Sequence, residues 1–225
     1  WTIFVTSISL TISFMIGVSL GMLIAYRRGR LIDTFISLFS SISSAIPAYI
    51  IALLLLMYLG FTLRLFPTGG IYDINVSPGF NLPFIFSVLH HASLPIISYV
   101  IVSFGTWTLA MKGSTISVLG EDYVAAAEAR GLRKRRIIFS YVGRTAILPL
   151  ATSLAINIGY MFGGAIFIET VFSYRGIGYL LSAALSLRDY PVIQGCFFVI
   201  TTAIILANFI TDVAYSKLDP RIRFE

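Results

Sequence analysis

The chain has 225 residues, 57% of them hydrophobic and 12% charged, with a mean hydropathy of +0.90. That balance excludes a water-soluble domain, and no phosphate-loop, dinucleotide or zinc-protease signature occurs with which the chain itself could turn over a nucleotide or hold a catalytic metal. The formal net charge of +6 would suit nucleic acid, but the basic residues are placed for a bilayer instead.

Uncharged stretches at about 1–26, 34–60, 92–111, 145–169 and 190–212 are each long enough, at roughly 20 residues, to cross a membrane. They predict an all-α polytopic membrane protein with five transmembrane helices, residues 1–225 forming a single transmembrane domain. External segments are expected at 61–91 and 170–189, and a loop on the opposite side at 112–144. Thirteen of the sixteen basic residues fall on the side of that loop and the C-terminus, leaving Arg64, Arg175 and Arg188 opposite. By the positive-inside rule the loop and the C-terminus are cytoplasmic. The first stretch lacks the order of a signal peptide, so it reads as a true span with its upstream part missing.

In the first span, Gly17-Val18-Ser19-Leu20-Gly21 matches a hydrolase nucleophile elbow. The elbow needs a strand-to-helix turn, which an apolar span does not offer. The Gly-xxx-Gly spacing instead lets another helix approach closely. The second span opens with Ser37, Ser40, Ser41, Ser43 and Ser44 and reaches Pro47. Small hydroxyl residues suit helix contacts; beside a helix-weakening proline they equally suit a wet path. Segment 61–91 is broken by prolines and glycines, and His90-His91 lack the further ligands of a metal site. The third span has Pro95 near its start, where a missing N–H costs little. The fourth has Pro149 in its first turn, then Asn157, Gly159 and Gly163, with Glu169 at its outer end. Residues 179–187 are expected to form a helix at the membrane. Cys196 is a small packing residue of the fifth span, and residues 217–223 form a polar tail.

The most informative stretch is 121–136. Ala and Glu favour a helix from Glu121 to Arg130, and Gly131 can adopt the left-handed conformation that ends one. Leu119, Tyr123, Ala126 and Arg130 share a face, which suits either a partner's groove or a solvated connection. Arg133, Lys134, Arg135 and Arg136 follow, placed for anionic lipid heads or for a partner protein.

Ala125-Ala126-Ala127 with Gly131 resembles the "EAA" loop of ABC importer permeases, in which Glu-Ala-Ala is followed by Gly four residues after the second Ala. The Glu slot is Ala125 here. Glu121-Asp122-Tyr123-Val124, Arg130-Gly131-Leu132 and the distant Leu148-Pro149 look like the dipeptide, oligopeptide and nickel branch. So do Leu65-Phe66-Pro67-Thr68-Gly69-Gly70, 168–173, Gly176-Ile177-Gly178, 188–195 and Asp219-Pro220-Arg221, which together resemble the first of the two permeases of such systems. The usual Pro before Gly176 is Arg175 in this chain.

The resemblance implies an ABC importer type I permease fold, six spans in a full protein, and a prokaryotic cell membrane. It implies three kinds of partner besides the lipid bilayer: a second homologous permease, two cytoplasmic ATPase subunits, and an external substrate-binding protein; nucleic acid is not among them. ATP and Mg would be bound by the ATPases, with no cofactor, metal or catalytic residue in this chain. The coupling residues would be Glu121, Asp122, Tyr123, Ala125, Ala126, Ala127, Arg130, Gly131 and Leu132. Ser41, Ser44 and Asn157, polar groups on apolar spans, are candidates for the translocation path. The cargo implied is a peptide, with oligosaccharide or nickel as alternatives. A self-sufficient secondary transporter or channel is the competing class; it would usually carry a membrane-embedded acid or base, whereas the charges here fall at span ends.

Overall fold

The computed structural model describes the backbone of residues 1–218, and their side chains except at 152, 155, 156, 158–164 and 210–218. The described chain is helical, as apolar runs in a bilayer must be when every backbone polar group has to be satisfied within its own segment. The helices are α1 (Thr2–Tyr26), α2 (Leu31–Ala45), α3 (Ala48–Leu55), α4 (Leu82–Leu119), α5 (Asp122–Ala129), α6 (Lys134–Arg136), α7 (Arg144–Ala146), α8 (Leu148–Val171), α9 (Ile177–Leu187) and α10 (Tyr190–Leu218). Two π-helical stretches, Leu56–Thr62 and Ile137–Gly143, continue α3 and join α6 to α7. Among the described residues α1, α4 and residues 190–209 of α10 are long and apolar enough to span, and α2 with α3 makes a further, broken candidate.

Several boundaries differ from those expected. The third helix is not 92–111 but the 38-residue α4, about 57 Å long at 1.5 Å per residue. It takes in 82–91 from the external segment and 112–119 from the loop. Polarity ends the apolar run without ending the helix. Pro95 consequently lies inside α4 rather than in its first turn. The stretch 34–60 is two helices, because Pro47 has an extended ψ of 137° and cannot carry the helix through. Residues 134–144, placed in the loop from their charge, are helical and lead towards α8, leaving a much shorter excursion around α5.

The chain divides into two compact units. The first comprises residues 1–10, 46–100 and 155 onward. Its core gathers Val5, Ala52, Leu56, Leu94, Tyr99, Ile168, Phe172 and Tyr174. A smaller cluster packs α9 on α10 through Leu181, Cys196 and Ile200, so Cys196 is a packing residue as expected.

The second unit comprises residues 11–45 and 101–154. Here α1 lies on α4 with almost no space between backbones. A Cβ on Gly17 would collide with Cβ of Trp107, and one on Gly21 would lie 2.7 Å from Cβ of Met111. The Gly-xxx-Gly pair therefore acts as a packing face. On another face of α4, Gly105 lies against the Ser40 carbonyl and the Ser44 hydroxyl of α2. Gly159 and Gly163, which repeat the spacing of that pair, and the tail 219–223 lie outside the described side chains or residues.

Candidate functional site: the α5 excursion

The α5 helix forms where the sequence predicts it and is trimmed at both ends. Glu121 is the extended N-cap residue (φ −79°, ψ 142°), and Asp122 in the first turn complements the positive end of the helix. At the other end Arg130 caps, and Gly131 adopts φ +71°. The Gly131 N–H donates to the Glu128 carbonyl at 2.8 Å, and the Leu132 N–H to the Ala127 carbonyl at 3.3 Å. These two bonds make a Schellman closure, the arrangement that glycine in the left-handed region permits. The direction of the chain leaving α5 is thus set by hydrogen bonds.

Two faces of α5 have different surroundings. Val124 and Ala127 are buried, at 2% and 3% exposure, and α5 packs on the π-helical stretch Ile137–Gly143. Tyr123, Ala125, Ala126, Ala129 and Arg130 are exposed, with Leu132 half-buried. Of the face predicted from Leu119, Tyr123, Ala126 and Arg130, the last three are therefore outward, while Leu119 is half-buried and ends α4 instead of joining α5. Ala127, counted among the coupling residues, instead faces the chain's own core. Tyr123 is steadied by its hydroxyl, 3.1 Å from Thr145 Oγ1.

The helices on either side of α5 are tied to each other. Ser114 of α4 donates to the Ala146 carbonyl of α7 at 2.7 Å. Gly143 receives Met22 of α1, whose Cε would be 2.8 Å from an added Cβ. Two residues separate α4 from α5.

A second polar cluster was not anticipated. Lys112 Nζ on α4 pairs with Asp33 Oδ1 on α2 at 2.5 Å and donates to Ser37 Oγ at 2.9 Å. Asp33 also accepts from the Gly29 N–H at 3.1 Å and from Ser37 Oγ at 3.2 Å. Asp33 precedes the second span and Lys112 follows the third, both at connections on the basic side, and nothing in the local pattern pairs them.

The serines of α2 separate by role. Ser43 donates to the Ile101 carbonyl of α4, Ser40 is buried against Gly105, and Ser44 accepts from Thr106 Oγ1 at 3.3 Å. These are helix contacts. Ser41 is exposed, its hydroxyl returned to the Ser37 carbonyl at 2.9 Å. Asn157 is half-buried on α8 and has an interaction partner. Ser41 and Ser44 belong to the second unit and Asn157 to the first.

In the first unit, Glu169 proves to be buried at 2% exposure rather than lying free at a span end. Its Oε2 accepts the N–H groups of Gly178 and Tyr179 at 2.8 and 3.0 Å, and its Oε1 accepts from Thr2 Oγ1 at 2.6 Å. Thr2 Oγ1 in turn accepts the Ile177 N–H at 2.9 Å. Three of the four N–H groups that a helix start leaves unpaired are thus satisfied by distant side chains. A Cβ on Gly176 would fall on the Glu169 carboxylate, and one on Gly178 would lie 2.7 Å from the Ile166 backbone. Both glycines of Gly176-Ile177-Gly178 are required by this latch, and Arg175 before it is exposed. Tyr174 is fully buried beside the latch. Burial, with the Glu169 charge adding to it, pushes its phenol well above the ordinary tyrosine range. The carboxylate thus caps the start of α9. His90 and His91 bond to the carbonyls of Leu65 and Ser87 at 3.1 and 2.8 Å.

Comparison with known proteins agrees with these features. The profile of the family described as binding-protein-dependent transport system inner membrane component matches residues 17–224. A Brucella suis biovar 1 (strain 1330) relative that carries a peptide-permease name is 36% identical over 225 residues, which are 99% of this chain and 68% of the relative. The oligopeptide transport system permease protein of Bacillus subtilis (strain 168) is 32% identical over 99% of this chain and 69% of its own length. The dipeptide transport system permease protein of Escherichia coli (strain K12) is 33% identical over 92% of this chain and 66% of its own. Among solved structures, the inward-facing MetNI methionine ABC transporter aligns over 97% of this chain and 93% of its own, with a TM-score of 0.71 and 15% identity, a likeness of fold. The chain belongs to the family of binding-protein-dependent transport system inner membrane components, the multi-pass permeases of ABC importers.

Proposed function

We propose that this chain is one of two related permease subunits of an ATP-driven peptide importer, and that α5 is the element through which a cytoplasmic ATPase drives it. The observation that carries this reading is the two-sided α5. Its inner face is fixed on residues 137–143 through Val124 and Ala127, and its outer face, Tyr123, Ala126 and Arg130, remains exposed at the end of a rigid excursion. Peptide cargo is supported by the names of the relatives.

The ATPases hold ATP and Mg, and an external binding protein delivers cargo to the side opposite the basic loop. The loop and the C-terminus face the cytoplasm, in keeping with the basic residues around them. ATP must then stabilise one packing of the permease more than another, since a ligand moves an equilibrium only by its difference in affinity. A switch from 1:99 to 99:1 requires about 5.5 kcal/mol. The Schellman closure and the Ser114–Ala146 bond stop that energy from being lost in bending the excursion. Ser41, whose exposed hydroxyl bonds back to the Ser37 carbonyl of its own helix, is the path candidate we favour.

The test is affinity purification of the tagged chain followed by reconstitution. Recovery of a second permease, two ATPases and a binding protein, with ATP-dependent peptide uptake, is expected. Peptide uptake by this chain alone without ATP would overturn the proposal.

A further inference from the structure

On the basic side of the second unit, two hollows adjoin. One, of about 410 Å³, is lined by Arg133, Arg135, Arg136, Phe139 and Ser140. The other, of about 490 Å³, is a groove whose walls are α1 and the π-helical stretch, with Val18, Met22, Leu23, Tyr26, Ile138 and Phe139 among its lining. Phe139 belongs to both. The hollows differ in chemistry: the first offers three guanidinium groups and a hydroxyl, the second is almost wholly apolar.

Among the described residues no acidic side chain pairs with Arg133, Arg135 or Arg136; the described ion pair is Asp33 with Lys112. Three guanidinium groups around one hollow repel each other, and a bound anion relieves that repulsion. Arginine's planar donors suit a phosphate diester in particular. Tyr26 lines the groove, and its hydroxyl is buried within the protein.

We propose that these hollows form one site for a single anionic phospholipid, its phosphate held by the three arginines and Ser140 and an acyl chain lying in the groove along Val18, Met22 and Leu23. A soluble anion would use the first hollow alone, and a partner helix would leave the arginines uncompensated; a phospholipid matches both. Basic pockets between spans on the cytoplasmic side are suited to such head groups. The site's inner wall is the stretch on which α5 packs, so its occupant ties α1 to the support of the coupling element. This inference is independent of the cargo.

The test is native mass spectrometry and thermal unfolding of the assembled importer carrying this chain, with phosphatidylglycerol, phosphatidylcholine and inorganic phosphate as probes. The expected result is retention of one phosphatidylglycerol per chain, little phosphatidylcholine, and stabilisation by phosphatidylglycerol but not by inorganic phosphate. Replacing the three arginines by Gln should cut retention at least about tenfold, since each basic residue near an anionic lipid is worth roughly 1 kcal/mol. Ser19 also lines the groove, and Ser19→Trp, which fills it without changing charge, should cut retention as well. Should the triple variant fail to assemble, Arg135→Gln and Ser19→Trp decide. Equal retention of the two lipids, equal stabilisation by phosphate alone, retention surviving the variants, or crosslinks from position 19 to another protein chain would each overturn the proposal.

Discussion

At the scale of single residues, side chains that look incidental in the sequence hold the helices together. Asp33 and Lys112 are separated by most of two spans in the chain, yet they form a largely buried pair braced by Ser37. Removing one member leaves the other charge without its partner, at a cost of about 3 kcal/mol, while removing both leaves none stranded. Asp33→Asn and Lys112→Met should each lower unfolding stability in detergent by about that amount, and the double variant should recover part of the loss. Additive losses would show that the pair is not coupled. Ser44 and Ser41 make a second comparison. Ser44→Leu forces bulk against Gly105 and Thr106 and should cost about 1–3 kcal/mol. Ser41→Leu points outward and should leave stability nearly unchanged, so any loss of uptake in that variant reports the path.

At the scale of elements, α5 was legible because three local signals agree: helix-favouring Ala and Glu, an acid in the first turn, and Gly at the closing position. Its inner and outer faces were less legible. Ala126 and Ala127 are equivalent in the pattern, and only the packing of residues 137–143 distinguishes them. Ala127→Trp should therefore destabilise the chain by overpacking, whereas Ala126→Trp should leave it folded and assembled but with uptake lost relative to ATP hydrolysis. Measuring both stability and transport per ATP in each variant separates the two; a folded, fully coupled Ala126→Trp importer would contradict the assignment. Gly131→Ala has space for its Cβ but keeps the left-handed strain, worth about 1–2 kcal/mol; circular dichroism melting of the purified complex checks that. The ends of α4 were misread for a different reason. His90, His91 and Lys112 interrupt an apolar run, but each finds a partner along or beside the helix, so polarity did not mark its limits.

At the scale of the whole molecule, composition and periodic apolar runs announced a helical bundle, and widely spaced motifs announced the permease family to which the chain belongs. Pairings between distant segments were not announced. Glu169 with Gly176 and Gly178 is the clearest case. A lone carboxylate at the end of an apolar run, followed within ten residues by Gly-Ile-Gly, was a usable sign of a capped helix start, but Thr2 as its third member has no local trace. The central claim concerns which face of α5 meets an ATPase. Cys196, the single native cysteine, is buried, so one engineered thiol at a time can be introduced at 123, 124, 126, 127 and 130 and crosslinked to the ATPases in the assembled importer. The account predicts crosslinks from 123, 126 and 130 that change in yield when ATP binds, and none from 124 and 127. Equal crosslinking from all five positions, or from none, would contradict it.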